Sequence, residues 1–255
     1  MSKKAEAREG AEAPSLLTNH PFYGLELDEY QTNFRDAIWN PAKLIIFCNA
    51  KAGTGKTLIA TATANLLCAY GLYAGIAYIA SPTQEQKQGY LKGTIEEKSE
   101  PYFEPFYQAL KKIGVNVNTA FYDGGVNEKF QTAYIECMTH TFQRGTNLEH
   151  KVVIIDEAQN FYTDELKKVL TRIHDNCKVI VIGHDGQNDL LNKPERSGFI
   201  PYLKWFSGDS RTEICELTQN YRGWISRHAD EFNGGKNEKD FSNQCKGIYE
   251  AGGRA

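Results

Sequence analysis

Residues 44–57 read L-I-I-F-C-N-A-K-A-G-T-G-K-T. The run begins as an apolar, partly β-branched strand, Leu44 to Cys48, and passes through two glycines into a lysine and a threonine that open a helix-length segment. A strand, a glycine-rich turn and a helix start in that order are the context a phosphate-binding loop requires. Gly53 and Gly55 let the backbone aim its N–H groups at phosphate oxygens, and the helix N-terminus adds partial positive charge. The expected nucleotide contacts are Ala50, Lys51, Ala52, Gly53, Thr54, Gly55, Lys56 and Thr57. Lys56 is placed at the β and γ phosphates, and Thr57 at a magnesium ion. Ala50 stands where the usual pattern begins with glycine, a small residue that fits if its backbone angles are ordinary. One ammonium–phosphate contact at roughly 4 Å and an effective dielectric near 20 is worth about 4 kcal/mol before desolvation.

Further along, K-V-V-I-I-D-E-A-Q-N puts Asp156 and Glu157 at the end of a fully apolar strand, where ligand crevices lie in open α/β sheets. Asp156 is a hard-oxygen partner for Mg²⁺, reached through water. Glu157 is placed to orient or deprotonate the attacking water. Without a phosphate loop nearby, the same pair would read as the start of a solvated turn. A third run, C-K-V-I-V-I-G-H-D-G-Q, ends at Gly183 and Gln187. Gln187 is a candidate contact to the γ-phosphate or the water; a surface turn built from Gly183, Asp185 and Gly186 is the alternative.

The remaining strand runs are Ile76 to Ala80, Val152 to Ile155, Val179 to Ile182 and Ile214 to Leu217, separated by helix-length segments. That alternation marks buried parallel strands with helical crossovers. Helices are expected from Lys56 to Tyr70 with Gly71 as the stop, and from about Glu100 to Ile113 with Gly114 as the stop. Another should run from Thr163 as N-cap to about His174. The fold class is α/β, a mostly parallel sheet flanked by helices. Residues 18–232 form one domain between a flexible tail at 1–17 and a polar tail at 233–255.

The 255 residues, 41% hydrophobic and 24% charged, suffice for one sizeable core. A net charge of -3 gives no overall attraction for nucleic acid or an anionic membrane, so any such site is a local patch. Six cysteines without a C-x-x-C pair suit free thiols in a reducing cytoplasm. Six scattered histidines form no metal-ligand pattern, so no transition metal is expected. No apolar run reaches the roughly 18 residues that span a bilayer, and the charged start has no secretory core.

Taken together, A-G-T-G-K-T, E-E-K-S-E-P-Y-F-E-P-F-Y-Q-A-L, F-Q-R-G-T-N-L and I-I-D-E-A-Q-N followed by L-T-R-I resemble the PhoH-like family of ATPases, relatives of the superfamily-one helicases. The resemblance covers about His20 to Arg222. It implies a RecA-like P-loop fold, with ATP and Mg²⁺ as ligands. By the same resemblance Gln31 is a candidate adenine reader, the alternative being an ordinary residue of an amphipathic helix. Gln159 and Gln187 would line the γ-phosphate, and Arg222 in Q-N-Y-R would contact phosphate. Arg144 in Q-R-G-T is a candidate for nucleic acid or a neighbouring subunit. His184 and Ser81 depart from the family, which usually has aspartate and arginine at those places. Some relatives carry a ribonuclease domain, but too few residues follow Arg222 to supply one, and no nuclease activity is expected.

The resemblance implies an ATPase linked to single-stranded RNA or DNA, with possible helicase activity. Lys87, Tyr90 and Lys92 supply local material for phosphate attraction and base stacking. The competing reading is a P-loop switch that acts on a protein partner without nucleic acid. A small-molecule kinase is disfavoured, because D-E-A-Q points to activated water. Superfamily-one helicases enclose ATP between two P-loop-like domains, and this chain has residues for one. A homo-oligomer, such as a hexameric ring, would complete the site, with Arg144, Arg196, Arg211, Arg222 and Arg227 as candidates for an arginine reaching the neighbour's phosphate.

Overall fold

Strands that are apolar on both faces must be covered on both faces, and that requirement sets the architecture. The computed structural model describes residues 12–18, 20–81, 95–122, 127, 132–139, 147–186 and 196–230, with backbone alone at 95–100 and 230. Among the described residues six strands form one sheet: β1 (Ile45–Ala50), β2 (Gly75–Ala80), β3 (Ile135–Thr139), β4 (Lys151–Asp156), β5 (Lys178–Gly183) and β6 (Thr212–Leu217). Their order is β3-β2-β4-β5-β1-β6 and every pairing is parallel. The fold is a RecA-like P-loop domain, with β5 inserted between the strand that leads into the phosphate loop and the strand that ends in Asp156.

Along β1 the side chains alternate between the two layers. Ile46, Cys48 and Ala50 face a core shared with α1 (Glu29–Trp39), α2 (Lys56–Ala69) and α3 (Ile95–Lys112). Ile45 and Phe47 face a second core closed by α5 (Thr163–Leu170) and α6 (Phe199–Phe206). A four-residue helix, α4 (Val117–Ala120), follows α3. Registers such as Asn49 beside Gly183 and Ala80 beside Asp156 align the carboxyl ends of the strands along one edge.

Several expectations shift. Edge strand β3 gives no clear signal in the sequence because Glu136 breaks its short apolar run and Thr139 ends it, and α1 and α6 are likewise additions to the expected elements. Helix α3 begins five residues earlier than expected and contains Pro101 and Pro105, each lacking an N–H donor. Its buried stripe of Phe103, Phe106, Ala109 and Leu110 holds it to the sheet despite them. Thr163 is the first helical residue and not the N-cap, which is Tyr162. That helix stops at Leu170, because Ile173 pairs as an isolated bridge with Leu148. The expected tail at 1–17 also needs correcting at its inner end. Leu17 is buried in the first core, and the Pro14 carbonyl accepts a bond from Trp39 Nε1 at 2.9 Å.

The described residues from Asn220 onward belong to a separate unit. Within its described part, α7 (Trp224–Asp230) stacks Trp224 on His228 at 5.0 Å, and Asn220 Oδ1 accepts from the Arg222 N–H at 2.8 Å. Among the described residues no helix is long and apolar enough to cross a membrane.

Candidate functional site

The turn after β1 is made possible by two glycines in the left-handed region, Gly53 at φ 78° and Gly55 at φ 85°. Gly55 caps α2, so the helix starts at Lys56 with its first N–H groups free of a side-chain cap. Within the loop Thr54 Oγ1 donates to the Lys51 carbonyl at 2.9 Å. Ala50 ends β1 in buried surroundings, and Ala52 lies half-buried in the turn. Both Lys56 and Thr54 are buried.

Asp156 is 1% exposed at the end of β4 and accepts three hydrogen bonds. Thr57 Oγ1 donates to its Oδ2 at 2.8 Å, Tyr78 OH donates to the same oxygen at 2.9 Å, and the Glu157 N–H donates to Oδ1 at 2.8 Å. Burial pushes this carboxyl above the ordinary aspartate range, and the neighbouring Glu157 adds to the shift; Lys56 and the donors from Thr57 and Glu157 oppose it. The Asp156 carboxylate and the Thr57 hydroxyl bring together hard oxygens of the kind a divalent cation such as Mg²⁺ takes, alongside water and phosphate oxygens. Thr57 and Asp156 are the residues that would hold it.

Glu157 sits at φ 50°, ψ 43°, a left-handed conformation that costs a non-glycine residue roughly 1 kcal/mol or more. It pairs with Lys56, Nζ to Oε1 at 3.4 Å. Gln159 Nε2 donates to Glu157 Oε2 at 2.5 Å, while Gln159 Oε1 accepts from the His184 N–H at 2.9 Å. Gln159 therefore ties the acidic turn to the end of β5. Nearby, the Asp185 N–H donates to Asn49 Oδ1 at 3.2 Å. The β5 exit is tight: a Cβ on Gly183 would meet the Phe199 ring at 2.8 Å.

Gln31 is brought to the loop, yet its amide is engaged with protein. Nε2 donates to the Thr54 carbonyl at 2.9 Å, and Oε1 accepts from the Asp28 N–H at 3.2 Å, one half of a capping box completed by Asp28 Oδ1 and the Gln31 N–H. Ser81, buried just past β2, stands at the same sheet edge. Gln187, Arg144, Lys87, Tyr90 and Lys92 lie outside the described residues. Arg222 and Arg227 belong to the separate unit. Arg196 is exposed, and its carbonyl accepts from Thr163 Oγ1 at 3.1 Å. Arg211 is ion-paired with Asp209 at 2.8 Å beside the amino end of β6, the sheet edge opposite the loop.

Sequence reasoning misses Tyr78. Its signal is a lone phenol inside an otherwise apolar strand, a position where a buried hydroxyl needs an acceptor. Its partner turns out to be the carboxylate of the site.

A family profile described as PhoH-like protein matches residues 26–228. The chain belongs to the PhoH-like family. Among curated relatives, Protein PhoH of Escherichia coli (strain K12) is 33% identical over 208 residues, covering 76% of this chain and 56% of that protein. The PhoH-like protein of Bacillus subtilis (strain 168) is 32% identical over 178 residues, covering 69% and 53%. That of Mycobacterium tuberculosis (strain ATCC 25618 / H37Rv) is 34% identical over 191 residues, covering 74% and 51%. This PhoH-like chain thus spans about half the length of the curated relatives it matches. Among solved structures, the HK97 bacteriophage large terminase overlaps 89% of this chain and 48% of its own at a TM-score of 0.47 and 15% identity. That overlap is too loose to bear on activity.

Proposed function

We propose that this PhoH-like chain hydrolyses ATP with Mg²⁺ and that single-stranded RNA or DNA governs its turnover. The observation that carries the reading is the join between loop and acidic strand, Thr57 Oγ1 to Asp156 Oδ2 at 2.8 Å with Lys56 beside Glu157. The bound metal would screen phosphate charge and polarise the γ-phosphate. Lys56 and the first N–H groups of α2 hold the β and γ phosphates, a positioning and electrostatic task that supplies most of the catalysis in phosphoryl transfer. Glu157, released from Lys56 when phosphate arrives, accepts a proton from the attacking water. Gln159 keeps that carboxylate aimed and carries its displacement to the backbone at His184.

Family membership and the helicase kinship of the motifs support the nucleic-acid half. A homo-oligomer supports turnover in this proposal, since one P-loop domain leaves one side of the phosphate for a neighbour to complete. The deciding experiment measures ATPase rate with single-stranded RNA, single-stranded DNA and duplex across a salt series. Stimulation that fades with salt is expected, because phosphate contacts release counterions. A flat rate with no binding by anisotropy would replace this reading with a switch acting on a protein partner.

A further inference from the structure

The phenol of Tyr78 has no place in the reaction outlined above, although it is 1% exposed and bonded to the carboxylate at the site's centre. Its ring is stacked on Phe106 of α3, centroids 4.4 Å apart and planes within 10°, and meets Phe103 edge-on at 6.2 Å. Two aromatic packings fix the ring and with it the position of the phenol oxygen, 2.9 Å from Asp156 Oδ2. Burial, with the Asp156 charge beside it, pushes this phenol well above its ordinary pKa, so it stays a neutral donor.

An ionised carboxylate offers about four acceptor positions, two on each oxygen. Among the described residues, Thr57 and Tyr78 fill both on Oδ2, and the Glu157 N–H fills one on Oδ1. One position is left, on Oδ1. A carboxylate so restricted can receive a single metal-bound water and cannot chelate a cation through both oxygens. That suits Mg²⁺, which keeps its waters in an octahedron at about 2.0–2.1 Å, and disfavours Ca²⁺, which takes about 6–8 oxygens at about 2.3–2.6 Å and often binds carboxylates through both.

We propose that Tyr78 is a positioning residue that sets the metal selectivity of this site, by occupying Asp156 Oδ2 and leaving a single outward acceptor for Mg²⁺ and its water shell. The inference rests on the nucleotide and magnesium reading above. Removing the hydroxyl frees a second acceptor position on Oδ2 while the aromatic stack remains, so the site should become more tolerant of the larger cation.

The test is Tyr78→Phe, read by equilibrium binding of a fluorescent ADP analogue titrated with Mg²⁺ and, separately, Ca²⁺, with no turnover involved. Wild type should show half-saturation at lower Mg²⁺ than Ca²⁺. Tyr78→Phe should narrow that ratio about five-fold or more, with metal-free ADP affinity unchanged and a cooperative thermal melt retained. An unchanged ratio in folded Tyr78→Phe, or an equal loss of affinity with both cations and with none, would overturn the proposal. Phe106→Leu keeps the hydroxyl but loosens its aim. It should narrow the ratio in the same direction and by less; if Tyr78→Phe does not fold, an unchanged ratio in Phe106→Leu overturns the proposal in its place. Wild-type protein that binds no nucleotide with either cation would instead overturn the functional reading itself.

Discussion

Lys56 Nζ lies 3.4 Å from Glu157 Oε1, so the cation we propose for phosphate and the carboxylate we propose for water are paired with each other in the nucleotide-free protein. The glutamate is nearly half exposed, and such a pair contributes roughly 0–1 kcal/mol. Glu157→Gln should therefore abolish hydrolysis while leaving nucleotide affinity equal to wild type or up to about five-fold tighter. Lys56→Ala should lose affinity by about 100-fold or more. Calorimetric titration with a non-hydrolysable ATP analogue separates the two. Weakened binding in Glu157→Gln would show that its carboxylate serves the loop and not the water.

Gln31 offers a second contrast. Its bonds to the Thr54 carbonyl and the Asp28 N–H make it a brace for the phosphate loop and for the start of α1. Gln31→Ala is expected to cost about 1–2 kcal/mol of stability, from a lost cap partner and a buried carbonyl left unpaired. Competition between ATP and GTP tells the roles apart. A brace predicts equal weakening for both nucleotides, whereas an adenine reader predicts a selective loss for ATP.

The contrast shows where sequence reasoning reaches its limit. Gly53, Gly55, Lys56, Thr57 and Asp156 are legible because each has a backbone or charge requirement expressed within a few residues of chain. Gln31 and Tyr78 are harder, since what they do depends on partners 23 and 78 residues away. The core strands declare themselves through unbroken apolar runs, while edge strand β3, half-buried and mixed in composition, does not.

Lys178 begins β5 with its ammonium buried, donating to the backbone carbonyls of Asn40 and Lys43. Burial pulls its pKa from 10.5 down to about 8. The folded state thus disfavours the charged form. The cost is full below pH 8 and disappears as pH rises toward the unfolded value. Wild type should gain stability relative to Lys178→Met between about pH 8 and 10.5, by at most about 3 kcal/mol at 1.36 kcal/mol per unit. Urea unfolding of both proteins across that range checks the sign. A constant difference would mean that the two carbonyl acceptors hold the ammonium at its ordinary pKa.

A Cβ at position 183 would lie 2.8 Å from the Phe199 ring. Gly183→Ala should cost about 1–3 kcal/mol through overpacking. It should also lower the ATPase rate more than nucleotide affinity, because the next residue, His184, holds Gln159. Stability and kinetics both indistinguishable from wild type would show that Phe199 and α6 yield freely.

Completion of the site by a neighbour can be tested by mixing chains. An inactive arginine-to-alanine chain with Glu157 intact is combined with Glu157→Gln, which keeps its arginines. Mixed oligomers should regain part of the activity that neither parent has. Persistent inactivity after confirmed subunit exchange, for every candidate arginine, would rule out a shared site. An arginine supplied in this way is typically worth about 10³–10⁵ in rate.

The strand that leads into the phosphate loop is flanked by β5 and β6, the last two strands among the described residues. During synthesis β1 leaves the ribosome before its neighbours at 178–183 and 212–217, which follow more than a hundred residues later. Until then Ile45, Ile46 and Phe47 have no ladder, and such exposed apolar segments are hazards for aggregation while long-range parallel pairings are slow to form. Nascent chains arrested before Leu217 should therefore fail to retain nucleotide even though every loop residue has been made, and chaperone dependence should peak over that interval of translation.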